Sequence, residues 1–228
     1  SRGVFPLVSM LGDLVPVTVG AAYAFKRRRE RRVALTFLGE GAFCVGDTHE
    51  GLNLAGVLRV PAVFCLQRNH YAYSTPTERE MVEPSLARRV QGGWSIPCVA
   101  IDGTDALLVY ETVREAVERA RAGEGPQAVE AVTLRLEGHA AHDDARYVPS
   151  ELRQAYAQRD PVERLEARLS LDGLSPAALA DLRAEAADEV AAALAQAESE
   201  PPPDPLDLEE GVYASPLDRG ARGASLGA

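Results

Sequence analysis

The stretch VALTFLGEGAFCVGDTHEGLNLAGVLRVPAVFCLQRNHY, Val33 to Tyr71, carries two apolar runs with a helical period between them, and its reading decides the fold. Val33 to Leu38 and Pro61 to Leu66 each read as a nearly continuous apolar strand. Between them Thr48 is placed to cap a helix, and Leu52, Ala55 and Leu58 recur as one face to lie on the sheet. This β-α-β order predicts parallel strands joined by a right-handed crossover. In open parallel sheets ligands collect outside the carboxyl ends of the strands. There the sequence puts Gly39-Glu40-Gly41-Ala42 after the first strand and Asn69-His70-Tyr71 after the second. Gly39 and Gly41 permit a tight turn with φ above zero, whose N–H groups, with that of Ala42, suit phosphate oxygens. The Glu40 carboxylate, the Asn69 amide oxygen and the Tyr71 carbonyl are hard oxygen donors of the kind that bind Mg²⁺ or Ca²⁺. The alternative, that these are ordinary turn residues at strand ends, stays open at this point.

Outward from this unit the alternation continues. Val15 to Phe25 reads as a helix, Pro84 to Val90 as a short helical run and Pro97 to Ile101 as a strand. Ala106 to Ala122 reads as a helix with Leu107, Val109, Val113 and Val117 inward, and Ala128 to Leu136 as the next strand. The expectation is an α/β fold, a mostly parallel sheet with helices on both faces, over residues 1–148. Pro149 to Gln158, Pro161 to Leu169 and Pro176 to Ala197 each start with proline in the first turn and predict a helical extension over 149–199. The stripe Leu179, Leu182, Ala186, Val190 and Leu194 in the last of these calls for a docking surface. Residues 200–228, rich in proline and acids, read as an arm or linker.

Composition sets the outer bounds. The chain has 228 residues, 46% of them hydrophobic, enough for a real core. No run of 18 apolar residues suggests a membrane span, and the chain opens on serine, as a fragment or processed piece does. A net charge of −10 argues against nucleic acid as the default partner. The one basic run, Lys26 to Arg32, reads as a solvated last turn complementing a helix dipole, against the alternative of a binding patch. Cys44, Cys65 and Cys98 are unclustered and fit reduced thiols of a cytoplasmic protein.

Gly138-His139-Ala140-Ala141-His142-Asp143-Asp144-Ala145-Arg146-Tyr147 follows the last expected strand and, provided the strands are all parallel, emerges on the side of the Gly39 turn. Arg135 as a permanent cation and His139 as a near-neutral donor are the phosphate-contacting candidates of this region. The bland alternative is a surface loop whose acids bond Arg146 or cap the next helix.

Three separated segments, LVPVTVGAAYAFK (Leu14 to Lys26), GEGAFCVGDTHEGLNLAGVLRVPAVFCLQRNHYAYST (Gly39 to Thr75) and GHAAHDDARYVPSEL (Gly138 to Leu152), resemble the alpha subunit of thiamine-diphosphate-dependent 2-oxo acid dehydrogenases, the E1 component. The resemblance implies a thiamine-diphosphate-binding fold in which Glu40, Asn69 and the Tyr71 carbonyl bind Mg²⁺. Gly39, Gly41, Ala42, Arg135 and His139 surround the diphosphate, Ser9 and Leu11 meet the aminopyrimidine through their backbone, and His139 is the candidate catalytic residue. It further implies an E1 beta subunit or beta-like domain in an alpha2beta2 heterotetramer, a lipoyl-bearing E2 acceptor, and pyruvate, branched-chain or acetoin-type substrates. Glu40 stands where the family has aspartate, Arg68-Asn69 where it pairs two asparagines, and Tyr147-Val148 where it has Tyr-Arg. Ala140 aligns with a serine phosphorylated in mitochondrial members, so that control is expected to be absent. Outside this family, the glycine turn suits another diphosphate-binding transferase, although neither G-x-x-x-x-G-K-[ST] nor G-x-G-x-x-G occurs. A structural or regulatory subunit with weakened cofactor binding is the non-enzymatic alternative.

Overall fold

In the computed structural model, residues 3–5 and 8–202 are described. Helix α1 (Leu14–Arg28) precedes strand β1 (Ala34–Gly39), and α2 (Glu40–Phe43) and α3 (Gly46–Leu58) lead to β2 (Ala62–Arg68). A small hairpin, β3 (Tyr71–Ala72) and β4 (Thr75–Pro76), is followed by α4 (Thr77–Glu80) and α5 (Leu86–Trp94). Then come β5 (Cys98–Asp102), α6 (Ala106–Arg121), β6 (Gln127–Val132), α7 (Ser150–Ala157), α8 (Pro161–Leu171) and α9 (Pro176–Ser199).

The sheet has four strands in the order β1-β2-β6-β5, every neighbouring pair parallel. This is the expected α/β architecture. The alternation along β2 explains its unbroken apolar sequence, because both faces are covered. Ala62, Phe64 and Leu66 join a core with Val15 and Val19 of α1, Leu52 and Ala55 of α3, and Leu86 and Val90 of α5. Val63 and Cys65 point the other way, into a smaller cluster with Ala116 and Ala120 of α6. Burying each of the large side chains completely contributes about 1.5–3 kcal/mol.

The strand order positions the site. The chain steps from β1 to its neighbour β2, leaves to the far edge at β5, and returns inward to β6. Both crossovers, from β1 to β2 and from β5 to β6, thus run inward, and the segments that follow β1, β2 and β6 share the carboxyl edge of the sheet, where such sheets hold ligands.

Local expectations change in four places. Thr48 is not the cap of α3, which starts at Gly46 after Val45; its hydroxyl instead donates to the Ala42 carbonyl at 2.6 Å, tying α3 to α2. Leu107 is half exposed, because α6 turns Ala116 and Ala120 to the sheet. β6 stops at Val132, where the last ladder contact, Thr133 N–H to the Arg68 carbonyl at 2.9 Å, releases the chain. The stripe of α9 contains no buried residue.

The chain divides into two compact units at Asp172–Gly173, so α7 and α8 lie in the unit that contains the sheet. Of the arm expected over 200–228, the part beyond residue 202 lies outside the described residues.

Candidate functional site at the carboxyl ends of the strands

The Gly39 to Ala42 segment is a helical turn, not a left-handed one. Gly39 sits at φ −95° and ψ −177° and α2 begins at Glu40, and neither Gly39 nor Gly41 is among the residues with positive φ. The turn starts helical because Glu40 points inward and is anchored. Its side chain is 1% exposed. Oε1 accepts from the His70 N–H at 2.7 Å and from the Thr77 hydroxyl at 3.4 Å. Oε2 is buried with no partner. Burial pushes the Glu40 carboxyl up to about 7, against the backbone N–H groups of Glu40 itself, His70 and Asn69, and Glu80 adds repulsion. Burial also raises Glu80, whose Oε2 is another buried oxygen without a partner. Glu80 is a carboxylate that sequence reasoning missed. It stands on a separate short helix, with Oε1 3.9 Å from where a Gly41 Cβ would be, and no spacing rule links it to the glycine turn.

Asn69 and Tyr71 occupy the end of β2 and the start of β3. The Asn69 Oδ1 accepts from the Tyr71 N–H at 3.1 Å, an Asx turn that leads the chain off the sheet. His70 and Tyr73 hold φ of 73° and 51°, a left-handed conformation uncommon outside glycine. The His70 ring lies 3.0 Å from the Tyr156 hydroxyl through Nε2, and burial followed by the Arg68 charge lowers its pKa, keeping it neutral.

The second segment reaches the first through Tyr73 and Tyr147. Arg135 donates through Nη2 to the Tyr73 carbonyl at 2.7 Å and to the Tyr147 hydroxyl at 2.6 Å. Its Nη1 lies 3.3 Å from the His139 Nδ1. A guanidinium only donates, so Nδ1 accepts and the ring proton of His139 is on Nε2. The Tyr73 ring packs edge-on to His139 at 4.9 Å, and Tyr71 packs against Tyr147 at 5.3 Å.

Asp143 organises this loop. It accepts from the His139 N–H and the Tyr147 hydroxyl, both at 2.7 Å, and from the Ala145 N–H at 3.0 Å. These donors, the His139 N–H foremost, hold the carboxyl down at about 2. Gly138 admits the arrangement, because a Cβ there would stand 1.8 Å from the Asp143 carbonyl oxygen. Asp144 pairs with Arg146 at 2.7 Å, as the surface-loop alternative expects of an acid in this segment.

Ser9 and Leu11 lie in the segment before α1, both exposed. Gly12, next in the chain, has φ of 91° and packs where a Cβ would meet Val45 at 2.2 Å and the Ala42 carbonyl at 3.6 Å. That contact brings the segment to the α2–α3 junction.

Among the described residues no three His, Cys, Asp or Glu side chains cluster to hold a metal. One carboxylate, one amide oxygen and one carbonyl are instead a set suited to Mg²⁺, which completes its shell with substrate phosphates and water. The unpartnered Glu40 Oε2 fits such an ion.

The family described as "Dehydrogenase E1 component" matches residues 1–206. The chain is 41% identical over 170 residues to the 3-methyl-2-oxobutanoate dehydrogenase subunit alpha of Mycobacterium tuberculosis, covering 74% of this chain and 46% of that one. It is 37% identical over 199 residues to the pyruvate dehydrogenase E1 component subunit alpha of Bacillus subtilis, covering 86% and 53%. Against the protein of the same name from Staphylococcus aureus the identity is 39% over 159 residues, 69% of this chain and 43% of the relative. The chain spans about half the length of the curated relatives it matches.

Proposed function

This chain belongs to the dehydrogenase E1 component family and is E1 alpha-like, and on that premise we propose that it supplies the diphosphate- and Mg²⁺-holding part of a thiamine-diphosphate-dependent 2-oxo acid dehydrogenase site. The observation that carries this reading is the Glu40 carboxylate, fully buried at the carboxyl end of β1 with one oxygen unpartnered. A buried carboxylate without a counter-charge is costly, and a cation at Oε2 restores its ionised form.

Glu40, Asn69 and the Tyr71 carbonyl would hold that cation. The N–H groups of Gly39, Gly41 and Ala42 would meet phosphate oxygens, and the backbone of Ser9 and Leu11 would meet the aminopyrimidine. Arg135 brings a permanent positive charge, and it fixes His139 by accepting nothing and donating to Nδ1. His139 is thereby left with an N–H at Nε2, a neutral donor for phosphate or substrate and the catalytic candidate. Thiamine diphosphate, when bound, supplies the electron sink for decarboxylation of a 2-oxo acid. The names of the relatives favour a branched-chain 2-oxo acid or pyruvate. The proposal includes an E1 beta subunit or beta-like domain that completes the site, an alpha2beta2 heterotetramer, a lipoyl-bearing E2 acceptor and a cytoplasmic location.

Calorimetry with thiamine diphosphate, with and without Mg²⁺, tests the proposal. Mg²⁺-dependent binding is expected, and Asn69→Ala should weaken it by 10-fold or more while Ser74→Ala leaves it unchanged. Equal effects of the two substitutions count against the assigned ligands. One feature favours a second reading: the Asn69 Oδ1 is already turned to the Tyr71 N–H. If no cofactor binds even with the beta partner and Mg²⁺ present, a structural or regulatory subunit replaces the enzyme reading.

A further inference from the structure

At the amino ends of β1 and β2, opposite the site above, a cleft of about 270 Å³ is lined by Lys26, Arg29, Arg31, Arg32, Arg59 and Arg121, with Glu30 its one carboxylate. These cations come from three separate parts of the sequence, the end of α1 with the linker to β1, the end of α3, and the end of α6. In a chain of net charge −10 this is a local concentration of opposite sign.

The cleft is held open by cations bonded to backbone carbonyls. Lys26 Nζ donates to the Leu58 and Arg59 carbonyls at 2.7 and 3.2 Å, Arg59 to the Glu124 carbonyl at 2.8 Å, and Arg121 to the Arg31 carbonyl at 3.3 Å. Such bonds position the charges without neutralising them. Arg32 pairs with Glu30 and Arg121 with Glu118, but Lys26, Arg29, Arg31 and Arg59 form no ion pair among the described residues. Two of the four, Arg29 and Arg59, cap α1 and α3 in the left-handed region at φ 57° and 47°. Glycine is the usual residue there, and a side chain costs about 1–2 kcal/mol. Both helices carry an arginine at that position, and both arginines line the cleft.

We propose that this cleft is a docking surface for an acidic, extended segment of a partner protein. Guanidinium forks match carboxylates bidentately, and four unpaired cations can take several carboxylates side by side. The cleft is shallow and below the roughly 300–1,000 Å³ of enclosed small-ligand pockets, which favours a segment laid across it. Nucleic acid fits less well. A long polyanion carries most of its charge beyond a cleft of about 270 Å³, whereas a short segment ends within the roughly 10 Å over which charges act at 0.1 M salt. The six residues of β1, about 3.3 Å each, separate the cleft from Glu40 by about 20 Å, so docking leaves the cofactor site free.

The test uses the full chain and a fluorescein-labelled octaglutamate peptide, followed by anisotropy in 20 and 150 mM NaCl. The peptide should bind, more weakly at the higher salt. Arg29→Gly combined with Arg31→Gln should lower affinity at least 10-fold without lowering Tm, since glycine relieves the left-handed position. Arg88→Gln combined with Arg168→Gln removes the same charge elsewhere and should change affinity less than 2-fold. The proposal is overturned if octaglutamate does not bind, or if the two double variants weaken it equally. It is equally overturned if tripolyphosphate or a DNA duplex binds this cleft more tightly than the peptide.

Discussion

Glu40 is held by its surroundings as a buried acid with one oxygen unpartnered. Its carboxyl is pushed up to about 7 by burial, from a value of 4.5, so the folded chain binds its proton more tightly than the unfolded chain does. The stabilising influence of the neutral form is therefore complete below about pH 4.5 and is lost as the pH rises through about 7. Without cofactor, Glu40→Gln should stabilise the chain by as much as roughly 3 kcal/mol at pH 8, and by under about 1 kcal/mol at pH 5. Urea unfolding of both proteins at the two pH values measures this. A destabilised Gln variant at pH 8 would show that Oε2 already has a charge partner. The same substitution removes the charge that a divalent ion needs, so Mg²⁺-dependent cofactor binding should fall 10-fold or more. Glu40 itself was legible in the sequence because its position between two glycines at a strand end is local. Glu80 and Asp143 were not, since their importance arises from contacts made by the fold: Glu80 with α2, and Asp143 with three donors brought round by Gly138.

At the scale of elements, one acid at the end of β5 fixes the placement of α8. Asp102 accepts from the Thr104 hydroxyl and N–H at 2.7 and 3.0 Å, and pairs with Arg159 at 2.7 Å and Arg164 at 3.0 Å. Arg164 also donates to the Thr104 hydroxyl and reaches Asp105 at 3.3 Å. Burial alone would raise the Asp102 carboxyl, but the Thr104 donors and the two arginines outweigh it and hold the group far below the usual carboxylate range. A depressed carboxyl stabilises the fold above its unfolded pKa, near 4, and loses that contribution as the pH falls through the folded value. Asp102→Asn should thus cost about 1.5–3 kcal/mol at neutral pH, the range for hydrogen bonds to charged groups, and the difference should shrink with acid. Hydrogen exchange across residues 161–171 reads it directly. Unchanged protection at pH 7 would mean that packing, not Asp102, holds the helix. The sequence disclosed β1, α3, β2 and α6 because their apolar spacing reports burial on one or two faces. The Asp102 clamp and the β3–β4 hairpin carry no such period: strands of two residues cannot show one.

For the whole molecule, all three apolar clusters draw on residues no later than Tyr156. The proline starts at Pro149, Pro161 and Pro176 were legible as helix beginnings, but the sequence could not tell which helices share the sheet's core. The distinction lies in partners. Leu152 and Tyr156 of α7 pack with Tyr71 and Leu134, while α9 keeps Leu182, Val190 and Leu194 exposed. Stability on unfolding comes mainly from apolar area removed from water, so a helix that buries no side chain adds little to it. A chain ending at Asp172, the boundary of the first compact unit, should therefore unfold in one cooperative transition. Its Tm should lie within about 2 °C of the full chain's, because a difference of 1 kcal/mol shifts Tm by roughly 2–4 °C at this size. Thermal unfolding followed by near-ultraviolet circular dichroism reports the aromatic contacts of Tyr71, Tyr147 and Trp94 that lie wholly inside the unit. A fall of more than about 5 °C would assign α9 a packing role that its exposed stripe does not support.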